Sequence, residues 1–182
     1  MYSGTGDINY FKEAEQLQRA LGLEKAPVRI ECFDISNIMG NQSVGSMVSF
    51  LNGKPDKNNY RRFRIKTVRG IDDFQMIAEI VRRRYTRLQK ENSSFPDLIV
   101  IDGGKGQLGA AMKELKKLNL SLPVIALAKR EEEIFIPGKR NSLKLLPDSL
   151  GLKFLMRVRD EAHRFGLKYH TLLRSKNLCP HP

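Results

Sequence analysis

Leu98-Ile99-Val100-Ile101-Asp102 is apolar at every position until it ends in a carboxylate. Four consecutive apolar residues with no polar face read as a strand covered on both sides, central in its sheet. The next stretch carries Leu108, Ala111, Met112, Leu115 and Leu118 on one side of a helix, and residues 124–128 form another buried apolar run. Together these make a β-α-β unit, which sets two parallel strands side by side.

Toward the amino terminus the periodicity changes. Residues 71–91 place Phe74, Ile77, Ala78, Val81, Tyr85 and Leu88 at helical spacing, with Arg82, Arg83, Arg84 and Arg87 around them. Asp72 and Asp73 open this helix; Asp72 suits an N-cap, and the charge of Asp73 suits the first turn. Before it come three strand-like runs: 28–35, then 44–51 after a loop at 37–42, then 59–68 beyond the hairpin signal Asn52-Gly53. Tyr60-Arg61-Arg62-Phe63-Arg64-Ile65-Lys66 alternates apolar and basic side chains, so one face packs and the other is positive. A leading helix covers about 8–23, with apolar residues at Phe11, Ala14, Leu17 and Leu21. Residues 130–147, with Pro137-Gly138 between apolar runs, read as a protruding hairpin or loop. A last helix runs from Leu150 to about Ser175, capped by Ser149. The expectation is an α/β mixed sheet, three antiparallel strands followed by parallel β-α units, with helices on both faces and a single domain over residues 1–182. The tail at 176–182 is expected to be disordered.

The chain has 32 Lys and Arg against 20 Asp and Glu, a formal net charge of +12 over 182 residues. From Lys139 onward ten Lys and Arg face only Asp148, Asp160 and Glu161. Such a balance attracts phosphate backbones, while a solvated surface is the plainer reading. Cys32, in a predicted buried strand, and Cys179, near the end, suggest neither a disulfide nor a zinc site. The reading is a reducing, cytoplasmic setting. No segment approaches the roughly 18 apolar residues of a membrane helix, and residues 1–7 do not read as a signal peptide.

The chemistry lies at the strand ends. Ile30-Glu31-Cys32-Phe33-Asp34 resembles residues 98–102 in ending an apolar run with aspartate. Buried carboxylates are costly to desolvate, so two of them imply a partner, and a hard divalent cation, Mg²⁺ or Mn²⁺, would also bring phosphates in. On the last helix, Leu152, Met156, Leu167 and His170 lie within about 40° of His163 at 100° per residue, which points His163 inward. Imidazole is suited to ligating a metal or to accepting a proton from water near neutral pH. Asp73 is a further carboxylate candidate. A competing signal is Gly104-x-Gly106-x-x-Gly109 between a strand and a helix. As a dinucleotide fingerprint it sits too late in the fold, and Asp102 would face the pyrophosphate.

Several ordered motifs resemble the UvrC family of the bacterial UvrABC excision-repair nuclease: residues 27–40 (PVRIECFDISNIMG), 60–63 (YRRF), 97–107 (DLIVIDGGKGQ), 128–134 (AKREEEI) and 159–165 (RDEAHRF). The resemblance spans about residues 10–176. It implies an RNase H-like endonuclease domain that makes the 5′ incision in damaged double-stranded DNA, acting with a UvrB–DNA complex in the full-length protein. It also implies an Asp-Asp-His metal centre, which motif by motif falls on Asp34, Asp102 and His163. Arg61, Arg62, Lys105 and Arg159 are assigned to DNA phosphate contacts or local support, and Glu133 and Glu161 to hydrogen bonds behind the site. The family's amino-terminal nuclease, its UvrB-contacting segment and its paired helix-hairpin-helix module have no counterpart here. The rival reading is a catalytically inert nucleic-acid-binding module using Arg61, Arg62 and Arg82 to Arg84 as a basic platform. Nothing in the sequence requires more than a monomer.

Overall fold

Parallel pairing of β1 (Arg29–Ile38) with β5 (Leu98–Asp102) sets the two aspartate-ended runs beside one another. The computed structural model describes residues 5–38, 42–68 and 70–177. In the β1–β5 register Phe33 lies opposite Ile101, so the next residues, Asp34 and Asp102, leave the sheet side by side on one face. β6 (Val124–Ala128) continues the parallel part, and β2 (Gln42–Leu51) pairs antiparallel on the other side of β1.

Of the third strand expected at 59–68 only residues 61–64 form one, and a shorter strand precedes it. β3 (Lys54–Pro55) follows the Asn52-Gly53 turn, a 3₁₀ turn covers Lys57–Asn59, and β4 (Arg61–Arg64) then pairs with the other end of β2. Both turn residues have positive φ, 50° and 73°, the requirement of the tight hairpin that the sequence signalled. Gly53 is also needed for space, since a Cβ there would lie 2.4 Å from the Tyr10 ring. β1 and β2 reach further than expected: their register runs to Ile38 opposite Gln42, leaving 39–41 outside the described residues.

The hairpin expected over 130–147 is present, but its first arm joins the sheet instead of protruding. β7 (Glu133–Phe135) pairs antiparallel with β6 as the seventh strand, and Ile134 is fully buried and bridged to Leu143. Burying Ile134 and pairing an otherwise bare edge of β6 outweighs exposing the segment. The order is β3-β2-β1-β5-β6-β7, with β4 beside β2.

Strand alternation sorts the core into two layers. Ile30, Cys32, Val100 and Leu127 face α1 (Thr5–Leu21) and α4 (Leu150–Asn177). Phe33, Ile99, Ile101 and Ala126 face α2 (Asp73–Lys90) and α3 (Lys105–Lys117). Asp72 caps α2, its side chain accepting from the Gln75 N–H at 3.0 Å, and the Leu152 N–H donates to Ser149 Oγ at 3.3 Å at the start of α4. α4 runs to Asn177, so most of the expected tail, and Cys179 with it, lies outside the described residues. Among the described residues no helix is long and apolar enough to cross a membrane.

Candidate metal centre

Asp34, Asp102 and His163 converge. Each offers one ligand atom, and these atoms lie within 4.8 Å of one another. β1 supplies Asp34 and β5 supplies Asp102, both on the α4 face; α4 crosses that face and brings His163 over it, with Nδ1 3.6 Å from Asp34 Oδ2. His163 turns toward the sheet, as the helical wheel indicates, but its side chain stays 44% exposed, and Leu167 is also exposed. The apolar seam of α4, through Leu155, Val158 and Ala162, is buried, and His163 stands beside it at the open end of the sheet. The side chain of His170 lies outside the described residues.

The electrostatics suit a cation. Burial raises the Asp34 carboxyl, with His163 and a hydrogen bond from Ser36 Oγ to Asp34 Oδ2 (3.1 Å) working against it. Asp102 is pushed up to about 6, first by burial and then by the charge of Asp34, while Arg159, His163 and Lys129 oppose the rise. Two carboxylates held together, the charge of one opposing ionisation of the other, with an imidazole beside them, make a donor set that a divalent ion would relieve.

The other predicted residues divide. Asp73, at the first turn of α2 in the opposite helix layer, is not a member of this cluster. Arg159 is buried, its guanidinium shared between Glu132 and Asp160 (2.9 Å). Glu133 accepts from Ser142 (2.8 Å), and Glu161 from Tyr60 (2.9 Å) and Arg164 (2.6 Å). Lys105 donates to the Arg140 carbonyl at 2.7 Å, and Arg61 to the Asn58 and Tyr60 carbonyls, both at 2.8 Å. Arg62 is exposed, stacks 4.3 Å over the Phe165 ring, and lies two strands from Asp34 through the register Arg62, Ser46, Asp34. Arg84 does not belong to a basic platform: it is buried and pairs with Glu31 at 2.5 Å. The glycines of Gly104-x-Gly106-x-x-Gly109 serve packing at least at Gly106, where a Cβ would lie 2.4 Å from the Phe74 ring.

Sequence reasoning passed over Ser36, Ser46 and Gly166, which touch or flank Asp34. Their signal was parity and spacing: the serines alternate onto the Asp34 face, and Gly166 lies one helical turn beyond His163.

The family model for the UvrC RNase H endonuclease domain matches residues 18–167. UvrABC system protein C of Methanosarcina barkeri is 52% identical over 177 residues, covering 96% of this chain and 34% of that protein. Its counterpart in Methanococcus maripaludis is 55% identical over 166 residues, covering 91% and 32%. The chain thus spans about a third of the length of these curated relatives. Among solved structures, Ciona intestinalis endonuclease V in complex with an inosine-containing 23mer DNA matches with a TM-score of 0.54 at 13% identity, over 94% of this chain and 100% of that one. That likeness establishes the RNase H-like fold.

Proposed function

We propose, because the chain belongs to the UvrC RNase H endonuclease domain family, that it is a metal-dependent endodeoxyribonuclease domain making the 5′ incision of nucleotide excision repair. The observation that carries this reading is the convergence of Asp34, Asp102 and His163 within 4.8 Å at the open end of the sheet. Asp34 and Asp102 would hold Mg²⁺ or Mn²⁺, with His163 as the third ligand. Such an ion, when bound, supplies a Lewis acid that polarises the scissile phosphate and lowers the pKa of a water.

The chain's own residues do the rest. The two carboxylates fix the anionic floor of the site. His163, half exposed beside Asp34, is placed to hold or take a proton at its ring nitrogens. α3 begins three residues beyond Asp102, and the positive end of its dipole would favour a phosphate near that strand end. Arg62, held by Phe165 on the Asp34 side of the sheet, is a phosphate contact next to the site. Damaged double-stranded DNA is the substrate, a UvrB–DNA complex the partner within the longer protein, and the cytoplasm the location.

The test is a calorimetric Mn²⁺ titration of the wild-type chain, Asp34→Ala and Asp102→Ala, each checked for cooperative thermal unfolding. Saturable binding is expected in the wild type and lost in both variants. Incision of a lesion-containing duplex should fall by about three orders of magnitude, matching several kcal/mol of transition-state stabilisation. Unchanged Mn²⁺ binding in both folded variants overturns the site assignment.

A further inference from the structure

The seat in which α4 rests against β1 and β2 has a more specific geometry than packing needs. Ser46 lies opposite Asp34 in the β1–β2 register and is fully buried. Its hydroxyl donates to the Ala162 carbonyl of α4 at 3.1 Å. One helical turn on, Gly166 meets the same patch: a Cβ there would lie 2.8 Å from Ser36 Oγ, 3.1 Å from Ser46 Oγ and 3.3 Å from Asp34 Oδ2. His163 falls between these two anchors, one residue after Ala162 and three before Gly166.

We infer that Ser46 and Gly166 are positioning residues that set His163 against Asp34, Ser46 by tying the helix to β2 and Gly166 by allowing its backbone to approach. This rests on the metal-site reading above. The helix does not need the serine for its own integrity, since an α-helical carbonyl already accepts from the N–H four residues on. Neither residue touches the reacting atoms. The effect of Ser46 passes through the placement of the imidazole relative to a carboxylate whose other constraints, Ser36 and the strand, stay in place, whereas a side chain at Gly166 would also press on that carboxylate and on Ser36. Groups that orient a ligand in this way are worth about 10–100-fold in metal affinity.

The test is a double-mutant cycle on Mn²⁺ affinity with Ser46→Ala, His163→Ala and the pair, alongside proton nuclear Overhauser contacts from the His163 ring in the metal-free protein. Ser46→Ala should fold, weaken Mn²⁺ about tenfold and diminish the contacts between the ring and the β-protons of Asp34, whose carboxylate lies 3.6 Å from Nδ1. In the His163→Ala background the same substitution should change affinity less than twofold. Gly166→Ala should give a larger loss, part of which persists in the His163→Ala background, because its methyl would also press on Ser36 Oγ and Asp34 Oδ2. An equal tenfold loss in both backgrounds, or unchanged ring contacts in Ser46→Ala, overturns the inference. The ring contacts are read without metal, so they decide it even if Asp34→Ala leaves Mn²⁺ binding intact and the site assignment itself fails.

Discussion

Glu31 and Asp34 stand three residues apart on β1, both buried, on opposite faces of the sheet, and the protein treats them in opposite ways. Glu31 is answered from within: Arg84 reaches it through Nη2 at 2.5 Å and Nε at 3.3 Å, and the Tyr85 hydroxyl donates at 3.0 Å. Burial and this carboxylate push the Tyr85 phenol well above its ordinary range. Asp34 receives one hydroxyl, from Ser36, and faces a second carboxylate and a half-exposed imidazole. A buried charge with its counter-ion supplied by the next helix is a structural device. A buried charge set beside another of the same sign is a request for a cation from outside.

Neutralising each carboxylate without changing its shape breaks the comparison most sharply. Glu31→Gln leaves the Arg84 guanidinium buried without its counter-charge, and should destabilise the fold by about 3–5 kcal/mol whether or not metal is present. That is a large share of the ~5–15 kcal/mol of a typical domain. Urea unfolding with and without Mn²⁺ measures it; a loss below about 1 kcal/mol would mean that the pair is not the structural device described.

The same substitution in the metal site should act in the other direction. Asp102 has a folded-state value of about 6 against an ordinary 3.8. The native state therefore binds the proton more tightly than the unfolded chain. The associated stability is complete below pH 3.8, and it is lost as pH rises through about 6. Asp102→Asn removes the carboxylate that must ionise. Above pH 7 the metal-free variant should be more stable than wild type by about 3 kcal/mol, with the difference vanishing toward pH 4. Saturating Mn²⁺ should raise the wild-type melting temperature and leave the variant's unchanged. A variant less stable than wild type at every pH would show that Asp102, like Glu31, is already compensated by the protein.

The strand-and-helix layout was legible where the signal was periodic and continuous. Residues 98–102 and 124–128 are apolar runs of strand length and became β5 and β6 with the expected bounds. In the segment after β6 the apolar runs on either side of Pro137-Gly138 were legible as a hairpin, bridged through Ile134 and Leu143. The pairing with β6 was not, because nothing local marks the bare edge that takes up Glu133–Phe135. The third strand was overextended because alternation continued through residues that bend over the edge of β2. Of the site, the two aspartates were visible as polar ends of apolar runs. Ser36, Ser46 and Gly166 carried only parity and spacing, which place a residue on a face without marking what lies across the sheet from it. Arg84 shows the converse error: within a run of three arginines it reads as surface, and only the tertiary fold turns it toward Glu31.

The smallest effect separates the two carboxylates most finely. Tyr85→Phe and Ser36→Ala each delete one hydroxyl that donates to a buried carboxylate of β1, at 3.0 and 3.1 Å. A single hydrogen bond of this kind is worth about 1 kcal/mol net, somewhat more to a charged acceptor, so the two variants should lose similar stability in the absence of metal. Their functional consequences should differ. Glu31 faces the α2 layer, away from the ligand cluster, and Tyr85→Phe should leave Mn²⁺ affinity within twofold of wild type. Ser36 holds Oδ2 of a proposed ligand, so Ser36→Ala lets that carboxylate rotate and should weaken Mn²⁺ about tenfold, the scale of lost support behind a ligand. Calorimetry on both variants decides the matter. Equal Mn²⁺ affinities would mean that β1 and Asp102 alone fix the Asp34 carboxylate, and that the serine supports the fold rather than the site.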